Sequence, residues 1–396
     1  MKNLTCIVVG GGFAGIHALK AIYKAHAEIS NGGKLRLILL DKAPAHVRKV
    51  LLFRPAATGE PIHVPWERIV PEGTEVVQGA VTAIEKDNKS LRFQDRAGIS
   101  HTLDYDVLVI SVGSIVRTPN PEQGGYALTG PNAAARIRDH WMANLKLAAT
   151  MADEAEKLRL MSAAVAGAGI TGIETSAELA FAMRKEAAAL GLDPHNIRVH
   201  LLNTQERLFM EGPAKVGHRL ERYLQNLGIV LHHRTRAVSE EQGRLRLSDG
   251  DSLPVGFTVW TLGLAPNPIV RSLGLPLNGD GRIIVDESYR VQDAPGVYSV
   301  GDCAHIVDPV TGFADRMTCK EAIPQATRLG RIIKADLSGQ RANAEKHRGV
   351  SQGYTVGLGP GHGLVWSRTW GIDIMITGKL AYKVKTFMWN YASMVR

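Results

Sequence analysis

The chain has 396 residues, with 47 basic and 38 acidic side chains and a formal net charge of +9. That length allows two or three domains with ample cores, and 45% hydrophobic with 21% charged residues excludes a disordered, collagen-like or small disulfide-stapled chain. No run reaches the roughly 18 apolar residues of a spanning helix, and three scattered cysteines (Cys6, Cys303, Cys319) exclude a disulfide framework or a four-ligand zinc site.

In chain order, the start MKNLTCIVVGGGF runs straight into an apolar strand and a glycine loop, so it does not read as a signal peptide, and a reducing, cytoplasmic setting is expected. Leu4–Gly15 ends in Gly10-Gly11-Gly12-Phe13-Ala14-Gly15, and Ile16–Ala27 reads as the helix that follows. A second apolar run, Leu35–Leu40, closes on Asp41 and Lys42, and a third, Asp106–Gly113, ends in glycine. Met161–Gly172 then repeats the design with Gly167-Ala168-Gly169-Ile170-Thr171-Gly172, followed by a helical stretch from Ile173 to about Arg184. Ile197–Leu202 closes on Asn203, and Phe257–Gly263 again ends in glycine. Such an internal repeat implies two nucleotide-binding units of one kind. Strands alternating with helices make the fold class α/β, with two Rossmann-like domains. Further on, Gly296–Cys303 reads as a strand closing on Gly301-Asp302. Gly357 and Gly359 suit tight strand turns in the glycine-rich stretch Gly353–Gly363, and Leu380–Val395 reads as a helix.

Each glycine motif follows a strand and opens a helix, the context in which the pattern binds a dinucleotide. Gly10 and Gly167 permit the tight turn, Gly12 and Gly169 let backbone approach a pyrophosphate, and Gly15 and Gly172 let helix and strand pack closely. The helix N-terminus then offers unpaired N–H groups to the phosphates. Asp41 can accept from ribose hydroxyls. At the matching position of the second unit, Asn203 can bond a hydroxyl but lacks the charge that favours NADH over NADPH. Nearby Arg207 leaves a 2′-phosphate open. Asp302, in its glycine turn, is either a simple turn residue or a carboxylate facing a flavin's ribityl hydroxyls. Glu174, two residues past the second loop, is equally a helix first-turn acid.

VVGGGFAG at Val8–Gly15, Asp41, YDVLVISVGS at Tyr105–Ser114, AGAGITGIETSAELA at Ala166–Ala180, WTLGLAPN at Trp260–Asn267 and GVYSVGDCA at Gly296–Ala304 together resemble the two-dinucleotide flavoproteins of the pyridine nucleotide-disulfide reductase superfamily. The chain looks most like the type II NADH dehydrogenases (NADH:quinone oxidoreductases) and the apoptosis-inducing-factor-like quinone reductases. The resemblance implies FAD in the first fold, NADH or NADPH in the second, and a quinone acceptor. It implies cofactor contacts from Gly10, Gly12, Phe13, Ala14, Gly15, Asp41, Lys42, Gly113, Gly301, Asp302, Gly167, Gly169, Gly172, Asn203 and Gly263, with Glu174 near the nicotinamide. Relatives carry an A-Q-x-A-x-Q signature beside the quinone. Here Lys320-Glu321-Ala322-Ile323-Pro324-Gln325 keeps Gln325, replaces the first glutamine by Glu321, and sets Pro324 where it would interrupt a helix begun at Lys320. Gln325 and Glu321 are nevertheless the expected quinone-side residues. No cysteine pair has the spacing of a disulfide reductase, so hydride passes directly from nicotinamide to flavin. His195, His232 and His233 lack metal-ligand spacing and read as surface; no metal site is expected. The role of His46 is open.

From Arg341 onward there are eight basic and two acidic residues and three of the six tryptophans, so most of the net charge sits in the tail. On a helix over Leu380–Val395, Leu380, Val384, Phe387, Met388, Tyr391, Met394 and Val395 share one face, with Lys385, Trp389 and Arg396 opposite. That pattern suits an anionic membrane surface or a helix docked on the body. No nucleic-acid module is evident. The expected parts are an FAD domain from 1–115 and 288–338, an inserted NAD(P)H domain from 116–287, and an interface domain from 339–396. The expected location is peripheral, on the cytoplasmic side of the cell membrane, and a homodimer is left open. Two alternatives stay open: a soluble NAD(P)H-dependent reductase with another acceptor, and an FAD- and NAD-binding signalling or interaction protein of low turnover.

Overall fold

Cys6–Val9 are all buried, so the first strand is covered on both faces, as strands of parallel sheets are. The computed structural model describes residues 3–29, 34–350 and 352–395, and this strand is the centre of a five-stranded sheet. In chain order the elements that position the site begin with β1 (Leu4–Val9), α1 (Phe13–Ile29), β2 (Leu35–Asp41), α2 (Phe53–Ala57), β3 (Glu75–Gln78), β4 (Val107–Ile110) and β5 (Tyr126–Ala127). They continue with β6 (Ser162–Ala166), α3 (Ile170–Ala189), β7 (Arg198–Leu202), β8 (Ile229–His232), β9 (Phe257–Trp260), β10 (Val297–Ser299) and α4 (Cys319–Leu337). The chain closes with β11 (Gly353–Gly357), β12 (Gly363–Thr369), β13 (Ile372–Thr377) and α5 (Gly378–Ala392).

Two parallel sheets carry the repeat. The first has the order β10-β4-β1-β2-β3 and the second β5-β9-β6-β7-β8, so β6 occupies the place of β1 and β9 that of β4. The edge beside β4 is filled by a segment that follows the second unit, whereas the edge beside β9 is filled from upstream of its own unit. In each unit a three-stranded antiparallel meander, residues 80–104 or 237–254, lies between the third strand and the glycine-ended strand. Just past Gly113 and Gly263 the equivalent segments Ser114–Val116 and Leu264–Pro266 pair antiparallel with each other. The repeat is thus stitched together at its two corresponding ends.

Both first helices begin earlier than expected, at Phe13 and Ile170, because the glycine loop already closes the first helical bonds. Ile16 N donates to Gly12 O and Ile173 N to Gly169 O, each at 3.0 Å. α1 and α4 cross closely at Gly330, where a Cβ would lie 2.6 Å from Ala21 O. Pro324 does not interrupt α4. The helix runs through it and gives up only the bond that residue 324 would donate to Lys320 O.

The C-terminal sheet β11-β12-β13 is antiparallel and shares a core with the second unit: Tyr354, Val356, Leu364, Trp366 and Trp389 join one cluster with Val165, Val199 and Phe53. α5 docks in the reverse of the orientation expected for its charges. Ala381, Lys385, Trp389 and Ala392, the supposedly solvated side, are buried. The apolar face turns outward, leaving Leu380, Phe387 and Tyr391 each more than half exposed. Met394 and Val395 lie beyond the helix and pack against the first unit. Arg396 lies outside the described residues. Several tail cations are neutralised internally: Lys346 by Glu287, Arg368 by Asp373 and Lys385 by Glu174. Trp389 is the keystone of this docking, 5.7 Å from the Phe53 ring and under the Arg54 guanidinium at 5.1 Å. Trp389→Ala should cost about 3–5 kcal/mol and release α5, read by urea unfolding and by proteolysis at the C-terminus.

Candidate active site

The two glycine loops are near-copies in geometry. At Gly10 (φ +96) a Cβ would meet Ser111 O at 2.5 Å, and at Gly167 (φ +116) it would meet Thr261 O at 2.4 Å. At Gly15 and Gly172 a Cβ would lie 1.8 Å from the carbonyl of Gly10 or Gly167, so only glycine lets each helix approach its own loop. Gly12 and Gly169 have no atom within 4 Å of that position: each faces open space where a pyrophosphate could approach backbone. The hydroxyls of Ser111 and Thr261 each donate to the first glycine's carbonyl at 2.9 Å. Both cradles therefore fit a dinucleotide on their own geometry.

Around the first loop, Asp41 accepts from Gly11 N at 2.5 Å and from Ala43 N at 2.7 Å, so this carboxylate braces the loop from beneath. Lys42 is exposed beside it. His46 is buried, with Nδ1 2.9 Å from Gly11 O and the Phe13 ring edge-on at 5.3 Å. Burial pushes its pKa down to about 4, which keeps it neutral, and Nδ1 is then the nitrogen that donates. Ala14 faces the third element, where a Cβ on Gly301 (φ +78) would lie 2.8 Å from the Ala14 methyl. Asp302, next in line, accepts from Ser114 Oγ at 2.6 Å, and burial raises its pKa against the pull of that bond and of Lys49. Gly113 and Gly263, both at positive φ with open space at the Cβ position, turn the chain at the ends of β4 and β9.

Gln325 is buried and spent within the protein. Its Oε1 accepts from Gly301 N at 2.8 Å and its Nε2 donates to Asp315 Oδ2 at 2.7 Å. It therefore holds the Gly301-Asp302 turn. Glu321, also buried, takes the Thr318 hydroxyl at the start of α4. Cys319 opens α4 within electrostatic reach of Asp302, Glu174 and Lys385, and burial raises its thiol pKa.

Glu174 stands at the meeting point of three elements. From α3 its Oε1 accepts from Gly357 N at 2.9 Å, on β11, and from Lys385 Nζ at 3.0 Å, on α5. Lys385 also donates to Thr355 O at 2.8 Å. Burial pushes the Glu174 carboxyl up, and Lys385 opposes that shift.

The second unit differs from expectation at its ribose end. Asn203 is buried, and its amide donates toward Gln205 O, Arg207 O and His233 while its oxygen accepts from Gln205 N. Arg207 is turned inward onto the carbonyls of Leu208, Phe209, Met210 and Gly212. Both side chains tie the loop together. His232 and His233 are likewise half-buried, His232 lying 3.0 Å from His200.

The profile of the pyridine nucleotide-disulphide oxidoreductases matches residues 4–328. The chain belongs to this family. It is 26% identical over 373 residues to the internal alternative NAD(P)H-ubiquinone oxidoreductase A1 of Arabidopsis thaliana mitochondria, covering 86% of this chain and 69% of that one. It is 24% identical over 352 residues to the type II NADH:quinone oxidoreductase Ndh of Mycobacterium tuberculosis, covering 84% and 73%. Its fold matches that of NDH2 from Plasmodium falciparum in complex with NADH, at a TM-score of 0.83 with 16% identity over 99% and 96% of the two chains.

Within this family frame, sequence reasoning missed Lys385, Trp389, Arg54 and Ser114. No local signal marks them, since each acquires its partner only when distant segments meet. Lys385→Met leaves Glu174 buried without its cation and should cost about 3–5 kcal/mol. Adding Glu174→Gln should restore part of that loss, as measured by a double-mutant cycle in urea.

Proposed function

We propose that the chain is an FAD-dependent NAD(P)H:quinone oxidoreductase that works while resting on a membrane surface. The division into an FAD unit from 1–115 and 288–338, an inserted NAD(P)H unit from 116–287 and an interface unit from 339–396 is part of this reading. FAD supplies a ring that takes up hydride and gives up electrons. Gly10, Gly12 and Gly15 would cradle its pyrophosphate, with Phe13, Ala14, Asp41 and Lys42 around it and Asp302 at the ribityl chain. Gly167, Gly169 and Gly172 would do the same for NADH or NADPH. Gln325 keeps the Gly301-Asp302 turn in place, and the Glu174–Lys385 pair offers a protonatable carboxyl where the two units and α5 meet.

The observation that carries the membrane half of this reading is the placement of the outward apolar face of α5. Leu380, Phe387 and Tyr391 lie on it, and the β12–β13 hairpin adds Trp370, which is 96% exposed, with Ile372 and Ile374. Beside that face a groove of about 360 Å³ opens between α4 and α5, with Ile323, Pro324, Met388 and Tyr391 among its lining residues. An apolar acceptor could reach the centre along it directly from lipid, and Lys379 and Lys383 flank the helix at its exposed start. Among the described residues no helix is long and apolar enough to cross a membrane, so attachment by this face would be peripheral, on the cytoplasmic side where NAD(P)H is supplied.

Anaerobic mixing with NADH or NADPH should bleach the flavin band, and a short-chain quinone should restore it. A band that stays oxidised with both nucleotides would sink the proposal. In a second measurement the protein should sediment with vesicles containing anionic phospholipid, and Leu380→Asp with Phe387→Asp should abolish sedimentation. Retained turnover without any vesicle binding would instead favour a soluble reductase.

A further inference from the structure

The groove between α4 and α5 has two unlike walls. Met388 and Tyr391 of α5 line one, whereas α4 contributes Lys320, Arg328 and Arg331 beside Ile323 and Pro324. Two of these three cations are neutralised, since Arg328 and Arg331 both close on Glu345, at 3.0 and 2.6 Å. Lys320 is half-buried, and its ammonium has neither a hydrogen bond nor an ion pair among the described residues. Acids stand within electrostatic reach, but each is already taken. Glu321 accepts from the Thr318 hydroxyl, Asp315 accepts from the Gln325 amide, and Glu211 is paired with Arg316. Burial pulls the Lys320 pKa down, the shift expected of a cation short of a counter-charge.

Position along the groove says what that counter-charge belongs to. Arg331 marks the outer end, with more than half of its side chain exposed. Lys320 lies about three turns earlier, about 16 Å along α4. Its neighbour Cys319 is within electrostatic reach of Asp302 and Glu174, so this is the end nearest the centre. A phospholipid resting in the groove would keep its phosphate at the surface, by Arg331. An acceptor that enters ring first brings its head to Lys320 and leaves its tail along Ile323, Pro324 and Met388. The anion that suits Lys320 is therefore carried on the ring of the acceptor. A hydroxyl beside a quinone carbonyl supplies one, because a 2-hydroxy-1,4-quinone is a vinylogous carboxylic acid and is ionised at neutral pH.

We propose that Lys320 is a specificity-determining residue that selects hydroxyquinones, bound as their ring oxyanions, over neutral quinones of the same size. The proposal rests on the quinone-reductase reading. The overall reaction is NAD(P)H + H⁺ + quinone → NAD(P)⁺ + quinol. The nicotinamide is oxidised, the two ring carbonyls become hydroxyls, and the ring oxyanion takes no part in the transfer. A bond from the ammonium to an oxyanion is stronger than one to a neutral carbonyl, and that difference sets the preference. A neutral glutamine at this place could donate to either acceptor but would gain far less from the charge.

The test pairs 2-hydroxy-1,4-naphthoquinone with its 2-methoxy ether, which has nearly the same shape and cannot ionise. For the wild-type holoenzyme near neutral pH, KM for the hydroxyquinone should be about tenfold or more below that for the ether. Lys320→Gln should close most of that gap by raising KM for the hydroxyquinone far more than for the ether, and Lys320→Arg should keep the gap. Calorimetric titration of the oxidised holoenzyme with the hydroxyquinone should show the same loss of affinity in Lys320→Gln. Equal KM values for the two quinones in the wild type, or a Lys320→Gln shift common to both, overturns the specificity role and leaves the quinone reading standing. A Lys320→Gln protein that keeps its KM values but no longer sediments with anionic vesicles overturns it too, and assigns the cation to lipid. A wild-type flavin that NADH bleaches but no quinone restores overturns the quinone reading and the specificity role with it.

Discussion

The buried pair between Glu174 and Lys385 is the interaction on which the rest of the arrangement depends. It joins the second glycine-loop helix to the C-terminal helix, 3.0 Å apart, with β11 held between them by a bond from Gly357. Two charges removed from water gain little net stability, because desolvation offsets most of their attraction. Their value is in specifying one docking geometry. Only one rotation of α5 puts Lys385 against Glu174, and that rotation turns Leu380, Phe387 and Tyr391 outward. The apolar surface at the foot of the protein is thus a consequence of an ion pair in its interior.

A separate contact sets where the two glycine-loop units face each other. Ser114–Val116 and Leu264–Pro266 pair across the repeat, which brings both glycine-ended strands to one place. Asp302, Cys319 and Glu174 then approach from three different elements. Duplicated sheets with equivalent strand orders would otherwise be two separate binding modules. The antiparallel stitch and the shared core with Trp366 and Trp389 convert them into one site with an apolar flank.

Much of this was legible beforehand. The glycine loops, the strands that feed them and the strand-glycine turns at Gly113 and Gly263 follow from local rules, because a tight turn with φ above zero and a close helix leaves almost no residue but glycine. Gln325 and Asn203 were legible as positions but not as roles. Both sit where a motif predicts contact with a ligand, and each side chain bonds groups of its own surroundings, Gln325 the Gly301 amide and Asp315, and Asn203 the Gln205 and Arg207 carbonyls and His233. Buried amides must satisfy donors and acceptors wherever these happen to lie, and a sequence pattern does not say whether those partners are protein or ligand. The meanders at 80–104 and 237–254 escaped notice because short, half-exposed antiparallel strands leave only a weak alternation.

By itself the sequence determined the α/β class and the doubled nucleotide-binding design, both of which depend on residues close together in the chain. Only the tertiary structure decided which face of the last helix is inside. Helical periodicity assigns residues to a face but not to a partner, and the usual rule sends lysine outward and leucine inward. That rule fails here because Lys385 finds a buried carboxylate 211 positions earlier in the chain, and such a partner cannot be read from spacing. The basic tail was real as a count. Its charges became surface, ion pair or keystone only when the second unit folded against them.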